Sequence, residues 1–188
     1  MRDIFFNTLT NNAQKDKNII LLVADIGYKV IDKFKNTNPK QFFNVGIAEQ
    51  NMAGIATGLA LSGKKVFCYS IANFTTLRSI EHIRNGACYH NLDIKFISGG
   101  SGYSYGSLGY THHAIEDLAI MRSLPNMTVF SPSSDYEVNM ITNYLCKNSN
   151  KPSYLRIDKS KLVTSSSNEK IKSIITPLKI IEEKKNKI

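Results

Sequence analysis

One glutamate lies among small and apolar residues in the first third of the chain. Glu49 falls in the segment NVGIAEQN, residues 44–51, where a helix rich in small residues is predicted to begin. A carboxylate at this place interacts favourably with the positive end of a helix dipole, which is a sufficient structural explanation. A carboxyl group held among apolar residues is also suited to exchange a proton with a bound molecule. The pattern alone leaves both interpretations open.

Three other candidate residues come directly after predicted strands. Asp25 follows the first strand, Phe74 follows the second, and His112 ends a glycine-rich loop, residues 99–112, that follows the third. In sheets of parallel strands, ligands bind beyond the carboxyl ends of the strands, so these positions are favoured for chemistry. Each has an ordinary structural alternative: a solvated turn residue, a core aromatic ring and a structural histidine.

The elements that would position these residues alternate along the chain. Apolar runs of strand length and helix-periodic segments follow each other, which predicts an α/β fold of three layers, a mostly parallel sheet with helices on both faces. The predicted helices are 2–14, 49–62, 74–90, 114–123 and 134–147, and the predicted strands are 18–25, 65–69, 94–98, 127–131 and 153–157.

Composition and charge narrow the class of protein. The 188 residues fit one domain, assigned to 1–163, and the lysine-rich segment 164–188 is expected to be a linker or tail leading towards an absent C-terminal domain. The net charge of +9 comes from scattered lysines without a nucleic-acid motif, so no nucleic-acid partner is expected. No apolar run is long enough to span a membrane. Three widely spaced cysteines favour a reducing, cytoplasmic location.

Several segments, taken together and in order, resemble one known family. They are NVGIAEQNMAGIATGLALSG (44–63), THHAIEDLA (111–119), MRSLPNM (121–127) and VFSPS (129–133). This series is similar to the pyrimidine-binding, central domain of transketolase-type enzymes that use thiamine diphosphate. The resemblance runs from residue 1 to about residue 160 and implies the thiamine-diphosphate-binding fold.

The resemblance implies specific roles around the cofactor. Glu49 would hydrogen-bond the pyrimidine ring nitrogen of thiamine diphosphate and promote removal of the thiazolium proton. Phe74 would stack on the aminopyrimidine, and Leu77 stands where a second aromatic ring is often found. Asp25 would lie near the thiazolium side of the cofactor, and His112 near the reacting carbon, where it could stabilise an oxyanion or shuttle a proton. Catalysis is thus assigned to Glu49 and His112.

On the substrate side the sequence departs from transketolases proper. Arg2 is expected to bind a phosphate, Lys29 to supply a different anion contact, and His113 is grouped with these two as a substrate residue. Leu108 stands near the position of an acidic residue that recognises sugar hydroxyls, and residues 99–101 replace a histidine that contributes to phosphate binding. The resemblance therefore implies transfer of a two-carbon ketol unit on an unusual sugar.

Half of the cofactor site is missing from this sequence. The chain has no Gly-Asp-Gly…Asn motif of the kind that holds the diphosphate and its Mg²⁺. We therefore expect a homodimer or a hetero-oligomer with a diphosphate-binding transketolase N-terminal subunit, this chain being either a split subunit or a fragment and inactive alone. Arg78 and the helix that follows it are expected to support packing and the subunit interface.

Other functions stay open beside this one. Within the same superfamily, the chain could be a subunit of a pyruvate dehydrogenase beta-like or deoxyxylulose-phosphate synthase-like acyl transferase. A non-catalytic scaffold subunit that keeps the fold is the alternative from another class. A change of Glu49 to glutamine without loss of activity in the assembled complex would favour the scaffold.

Overall fold

A parallel sheet forms the middle layer of residues 1–158, the part of the chain that the structure, a computed structural model, describes. Its strands are β1 (Ile19–Val23), β2 (Phe42–Asn44), β3 (Lys65–Ile71), β4 (Ile94–Gly99), β5 (Thr128–Phe130) and β6 (Ser153–Ile157). They lie in the order β2-β1-β3-β4-β6-β5, and every neighbouring pair is parallel. All the carboxyl ends therefore meet at one edge of the sheet.

Helices cover both faces of this sheet. They are α1 (Arg2–Lys15), α2 (Asp32–Thr37), α3 (Glu49–Leu61), α4 (Ala72–Leu77), α5 (Ile80–His82), α6 (Asp117–Ser123) and α7 (Asp135–Lys147), with a π-helical turn over Ile83–Cys88. Residues of α1, α2 and α7 pack on one face of the sheet, and residues of α3, α6 and the π-helical turn on the other. The predicted three-layer α/β fold is confirmed.

The burial of strand β1 on both faces explains why its sequence is apolar throughout. Successive side chains of a strand point to opposite faces, so Leu21 packs in the first core and Leu22 in the second. All five residues of β1 are buried. A strand buried on both faces carries no polar alternation, and this explains the run IILLV.

The structure differs from the sequence prediction between residues 26 and 90. Helix α2 and strand β2 were not predicted, because α2 buries only Phe34 and β2 is a three-residue edge strand without a buried side. The predicted helix 74–90 is divided into α4, α5 and the π-helical turn. Hydroxyl groups of Thr76 and Ser79 donate to carbonyls four residues earlier in the chain, at 2.8 and 2.5 Å, and such bonds bend helices.

Two further expectations concern the domain boundary and membrane-spanning helices. The boundary at residue 163 and the segment 164–188 lie outside residues 1–158, so the domain assignment stays a prediction. Within the described range, none of the helices combines the length and the apolar character needed to cross a bilayer.

Candidate active site

Glu49 lies at the carboxyl edge of the sheet, at the first residue of α3. The chain leaves β2 at Asn44 and turns at Gly46, whose φ of +76° would strain any residue with a side chain. The Glu49 side chain is only 2% exposed. Its Oε1 accepts a hydrogen bond from Ser70 Oγ on β3 at 2.9 Å. The turn after β2 therefore brings a buried carboxylate to Ser70, at the carboxyl end of β3.

Arg78 supplies the other partner of Glu49. Its Nη1 donates to Glu49 Oε2 at 3.0 Å, so the two residues form an ion pair. The guanidinium carbon also lies 4.0 Å from the centre of the Phe74 ring, in a cation–π arrangement. We call Glu49, Ser70, Phe74 and Arg78 the Glu49 site. Arg78 was expected to support packing; the structure instead places its charged group on the candidate catalytic carboxylate.

His112 borders the Glu49 site on its other side. Its ring lies 5.1 Å from the Phe74 ring, with the two planes 67° apart. The neighbouring Thr111 is held by two contacts: Asn73 Nδ2 donates to its carbonyl oxygen at 2.7 Å, and its hydroxyl lies 3.0 Å from His112 Nδ1. The loop after β4 and the helix after β3 thereby bring His112 to the Phe74 end of the Glu49 site.

Tyr105 connects His112 to the start of the chain. The rings of Tyr105 and His112 lie 5.7 Å apart. Burial raises the pKa of Tyr105, and the nearby charge of Arg2 opposes that shift. Burial also raises the pKa of Tyr69, in strand β3, and Arg2 opposes that shift as well. A continuous strip thus runs along the sheet edge from Glu49, through Phe74 and His112, to the cationic group of Arg2.

Asp25 is held by a neighbour that the sequence analysis did not identify. Asn44 Oδ1 accepts from the backbone N–H of Asp25 at 3.0 Å, and Asn44 Nδ2 donates to Asp25 Oδ1 at 2.9 Å. The same Asn44 Oδ1 accepts from the N–H of Gly46 at 3.0 Å. Asn44 thereby joins the turn that carries Asp25, whose φ is +51°, to the turn that carries Glu49. The short spacing Asn-x-Gly was the available signal.

The remaining candidates lie farther out on the same loops. Leu77 is half exposed, at the last residue of α4. Lys29 is exposed, with a φ of +70° in the turn after β1. A ring nitrogen of His113 lies 3.0 Å from the carbonyl oxygen of Gly106, and its ring is 5.0 Å from Tyr103. His113 is therefore held by its own loop, beside His112 rather than beside Phe74.

Gly100 lies in the segment 99–101, where the resemblance predicts the loss of a family histidine. Gly100 has a φ of +81°, and a Cβ atom built on it would run into the ring of Tyr105. The aromatic ring therefore leaves no room for a side chain at residue 100.

The Glu49 site suits one end of the expected cofactor. A buried carboxylate connected through Arg78 to an aromatic ring suits an aminopyrimidine, which offers polar edge atoms and a flat face. Within residues 1–158 no three His, Cys, Asp or Glu side chains cluster so as to hold a metal ion.

One family model and several known proteins match most of this chain. The family model described as the pyrimidine binding domain of transketolase matches residues 1–164. A putative transketolase C-terminal section from Methanocaldococcus jannaschii is 39% identical over 142 residues, covering 75% of this chain and 45% of that protein. One of the subunits named for an apulose-4-phosphate transketolase, from Actinobacillus succinogenes, is 41% identical over 163 residues, covering 86% and 52%.

A solved structure gives the same result for the fold. It is described as a split gene transketolase in an inactive β4 tetramer, and it is 36% identical to this chain with a TM-score of 0.75. The match covers 85% of this chain and 51% of that one. The chain spans about half the length of the relatives it matches.

Proposed function

The chain belongs to the transketolase pyrimidine-binding domain family, and we propose that it is the pyrimidine-binding half of an enzyme that transfers a two-carbon ketol unit. The observation that carries this proposal is the Glu49 carboxylate, 2% exposed, held by Ser70 and connected through Arg78 to the Phe74 ring. Ser70 and Arg78 compensate the burial of this carboxylate, so the site can hold an acid at the sheet edge.

Each residue of the site has a defined task in this proposal. When bound, thiamine diphosphate supplies the carbanion chemistry. Glu49 holds and exchanges a proton at the pyrimidine ring nitrogen, while Phe74 and Leu77 orient the ring by packing against it. His112, 5.1 Å from Phe74, stabilises negative charge that develops on the substrate oxygen or moves its proton. Asp25, held in place by Asn44, faces the thiazolium side.

The substrate is proposed to be an anionic, unusual sugar. Arg2 lies at the start of α1 and Lys29 in the turn after β1, and both bring positive charge to the substrate side. The loop after β4 carries Leu108 instead of an acid that would bind hydroxyls. Arg2 ends the strip that starts at Glu49, so we assign it to the phosphate or other anionic end of the sugar, and we group His113 with it as a substrate residue. The relative named for apulose-4-phosphate supports a sugar outside the usual pentose phosphates.

The diphosphate and Mg²⁺ are assigned to a partner. A separately encoded, diphosphate-binding subunit in a hetero-oligomer accounts for a chain with only the pyrimidine end of the site. The Actinobacillus relative is named as one subunit of its transketolase, and the solved structure is described as a split gene transketolase; both names support this arrangement. A homodimer of a longer chain that contains both halves is the alternative form of the partnership.

The test uses the complex that the chain forms in its source cells. The complex is isolated through a tag on this chain, supplied with thiamine diphosphate and Mg²⁺, and assayed for ketol transfer between ketoses and aldehydes, phosphorylated and not. Glu49→Gln is expected to lower kcat by a factor of about 10² or more, because the amide cannot exchange the proton. The matched control is Asp32→Asn, an exposed acid on α2, on the opposite face of the sheet.

Three outcomes would contradict the proposal in different ways. Activity of Glu49→Gln at the wild-type level would point to a scaffold subunit. Release of carbon dioxide from pyruvate without ketol transfer would point to an acyl transferase. Transfer confined to ordinary pentose phosphates would refute the unusual sugar but keep the reaction class.

A further inference from the structure

Arg78 contacts both groups to which the proposed function assigns the aminopyrimidine. It donates to Glu49 Oε2 at 3.0 Å while its guanidinium carbon lies 4.0 Å from the centre of the Phe74 ring. A guanidinium is planar and carries its donors at the edge, so it can stack and hydrogen-bond at once. We infer that Arg78 occupies the place of the aminopyrimidine while the cofactor is absent, and that cofactor binding displaces it. The inference rests on the proposed function.

The hydrogen bonds of Glu49 put Arg78 and an aminopyrimidine in competition for Oε2. Oε1 accepts from Ser70 and Oε2 accepts from Arg78, so each carboxylate oxygen faces a donor. A pyrimidine ring nitrogen is an acceptor and needs a proton on the carboxyl group. A proton on Oε2 would point at an N–H group of Arg78. A ring nitrogen that approaches Oε2 therefore displaces the Arg78 bond, whereas the Ser70 hydroxyl can rotate and stay.

Arg78 and an aminopyrimidine would also compete for the space on one face of the Phe74 ring. At 4.0 Å from the ring centre, the guanidinium is in van der Waals contact with the face it covers. Another flat ring on that face would need the same space, because stacked rings approach to a similar distance. The His112 ring, 5.1 Å away and tilted by 67°, borders Phe74 and narrows the space beside it.

Arg78 is the member of the Glu49 site that can move. Its side chain is 47% exposed, whereas that of Glu49 is 2% exposed and Ser70 lies within strand β3. Arg78 follows the last residue of α4, so a rotation of its side chain disturbs no helix. The guanidinium end of the pair is half exposed, so water can replace its hydrogen bond when the side chain turns away. While Arg78 is in place, the buried carboxylate has a partner, which avoids the penalty of an unpaired buried charge.

Binding measurements on two forms of the protein test this inference. The full chain is titrated with the fragment 4-amino-5-hydroxymethyl-2-methylpyrimidine, and the cofactor-depleted complex is titrated with thiamine diphosphate. Arg78→Ala is expected to bind both probes about tenfold tighter than wild type, the combined strength of an exposed ion pair and a cation–π contact. Arg78→Lys keeps the charge but not the plane, so its affinity should lie between the two.

Salt dependence gives a readout that needs no variant. Raising sodium chloride from about 0.05 to 0.5 M screens the half-exposed pair. Wild type should then bind the uncharged fragment several-fold tighter, and Arg78→Ala should show no such gain. Arg84→Ala is the matched control: it removes an exposed arginine that bonds to Asn85, and should behave as wild type in both titrations.

Equal or weaker binding by Arg78→Ala, with a wild-type affinity that does not respond to salt, would overturn the inference and make Arg78 a support for the bound ring. Failure of the proposed function is seen separately, through Glu49→Gln. If that variant keeps the wild-type affinity for thiamine diphosphate and the wild-type activity, the site is not a pyrimidine site at all. If it weakens binding while Arg78→Ala does not strengthen it, only the inference about Arg78 fails.

Discussion

The hydroxyl group of Tyr154 connects β6 to the segment that carries His112, and its removal has a calculable effect. Tyr154 is buried, and its hydroxyl donates to Asp117 Oδ2 at 2.7 Å. Arg156 Nε donates to the same oxygen at 2.9 Å, and Arg156 Nη2 donates to the carbonyl oxygen of Ala114 at 3.1 Å. Tyr154→Phe deletes one oxygen atom from this network without leaving a large cavity.

The magnitude follows from the charge on the acceptor. A hydrogen bond to a charged group contributes about 1.5–3 kcal/mol to the free energy of unfolding. For a chain of this size, that free energy falls by about 2 kcal/mol per molar urea. The urea midpoint of Tyr154→Phe should therefore be about 1 M below that of wild type. Tyr136→Phe, which removes the hydroxyl of a half-exposed tyrosine, should leave the midpoint unchanged.

The effect should depend on pH in one direction. Burial raises the pKa of Tyr154 well above its ordinary value of 10.0, and the Asp117 carboxylate adds to the shift. Above pH 10 the unfolded chain loses the phenol proton while the folded chain keeps it, so this contribution to stability, complete below pH 10, declines as pH rises. The difference between wild type and Tyr154→Phe should shrink accordingly. A difference that is no larger than that of Tyr136→Phe, or that grows above pH 10, would refute the reasoning.

The structure makes two further predictions about packing. Burial raises the pKa of Cys88 to about 11 and that of Cys146 to about 12. Near pH 8 a thiol reagent should therefore label none of the three buried cysteines in the folded chain and all three after unfolding. Labelling of the folded chain would contradict this burial. Gly86→Ala should lower the free energy of unfolding by about 1–3 kcal/mol, because its Cβ would collide with Thr57 Oγ1. Gly54→Ala, where a Cβ meets open space, should be neutral or raise it by up to about 1 kcal/mol in urea titrations; equal effects of the two changes would contradict the packing argument.

Elements with a strong local pattern were predictable from the sequence. Strand β1 was predicted because a strand buried on both faces is apolar at every position. Helix α3 was predicted from 49 to 62 and is observed at Glu49–Leu61, since its small and apolar residues repeat at helical spacing and Gly63 follows it. Strand β2 escaped prediction because its three residues are held by pairing with β1, which a local pattern does not encode.

The candidate site, like the fold, could be predicted only in part from the sequence. Residue types at fixed spacing along the chain were enough to identify the family and the three-layer fold and to select Glu49 as a candidate. They could not show that Glu49 meets Ser70 and Arg78, which are 21 and 29 residues away in sequence and come together only in the folded chain. The reason is the crossover between parallel strands: β1 lies between β2 and β3, and the loops after all three strands return to one edge. Which side chains meet there is set by the order of strands in space, and that order is absent from any local segment.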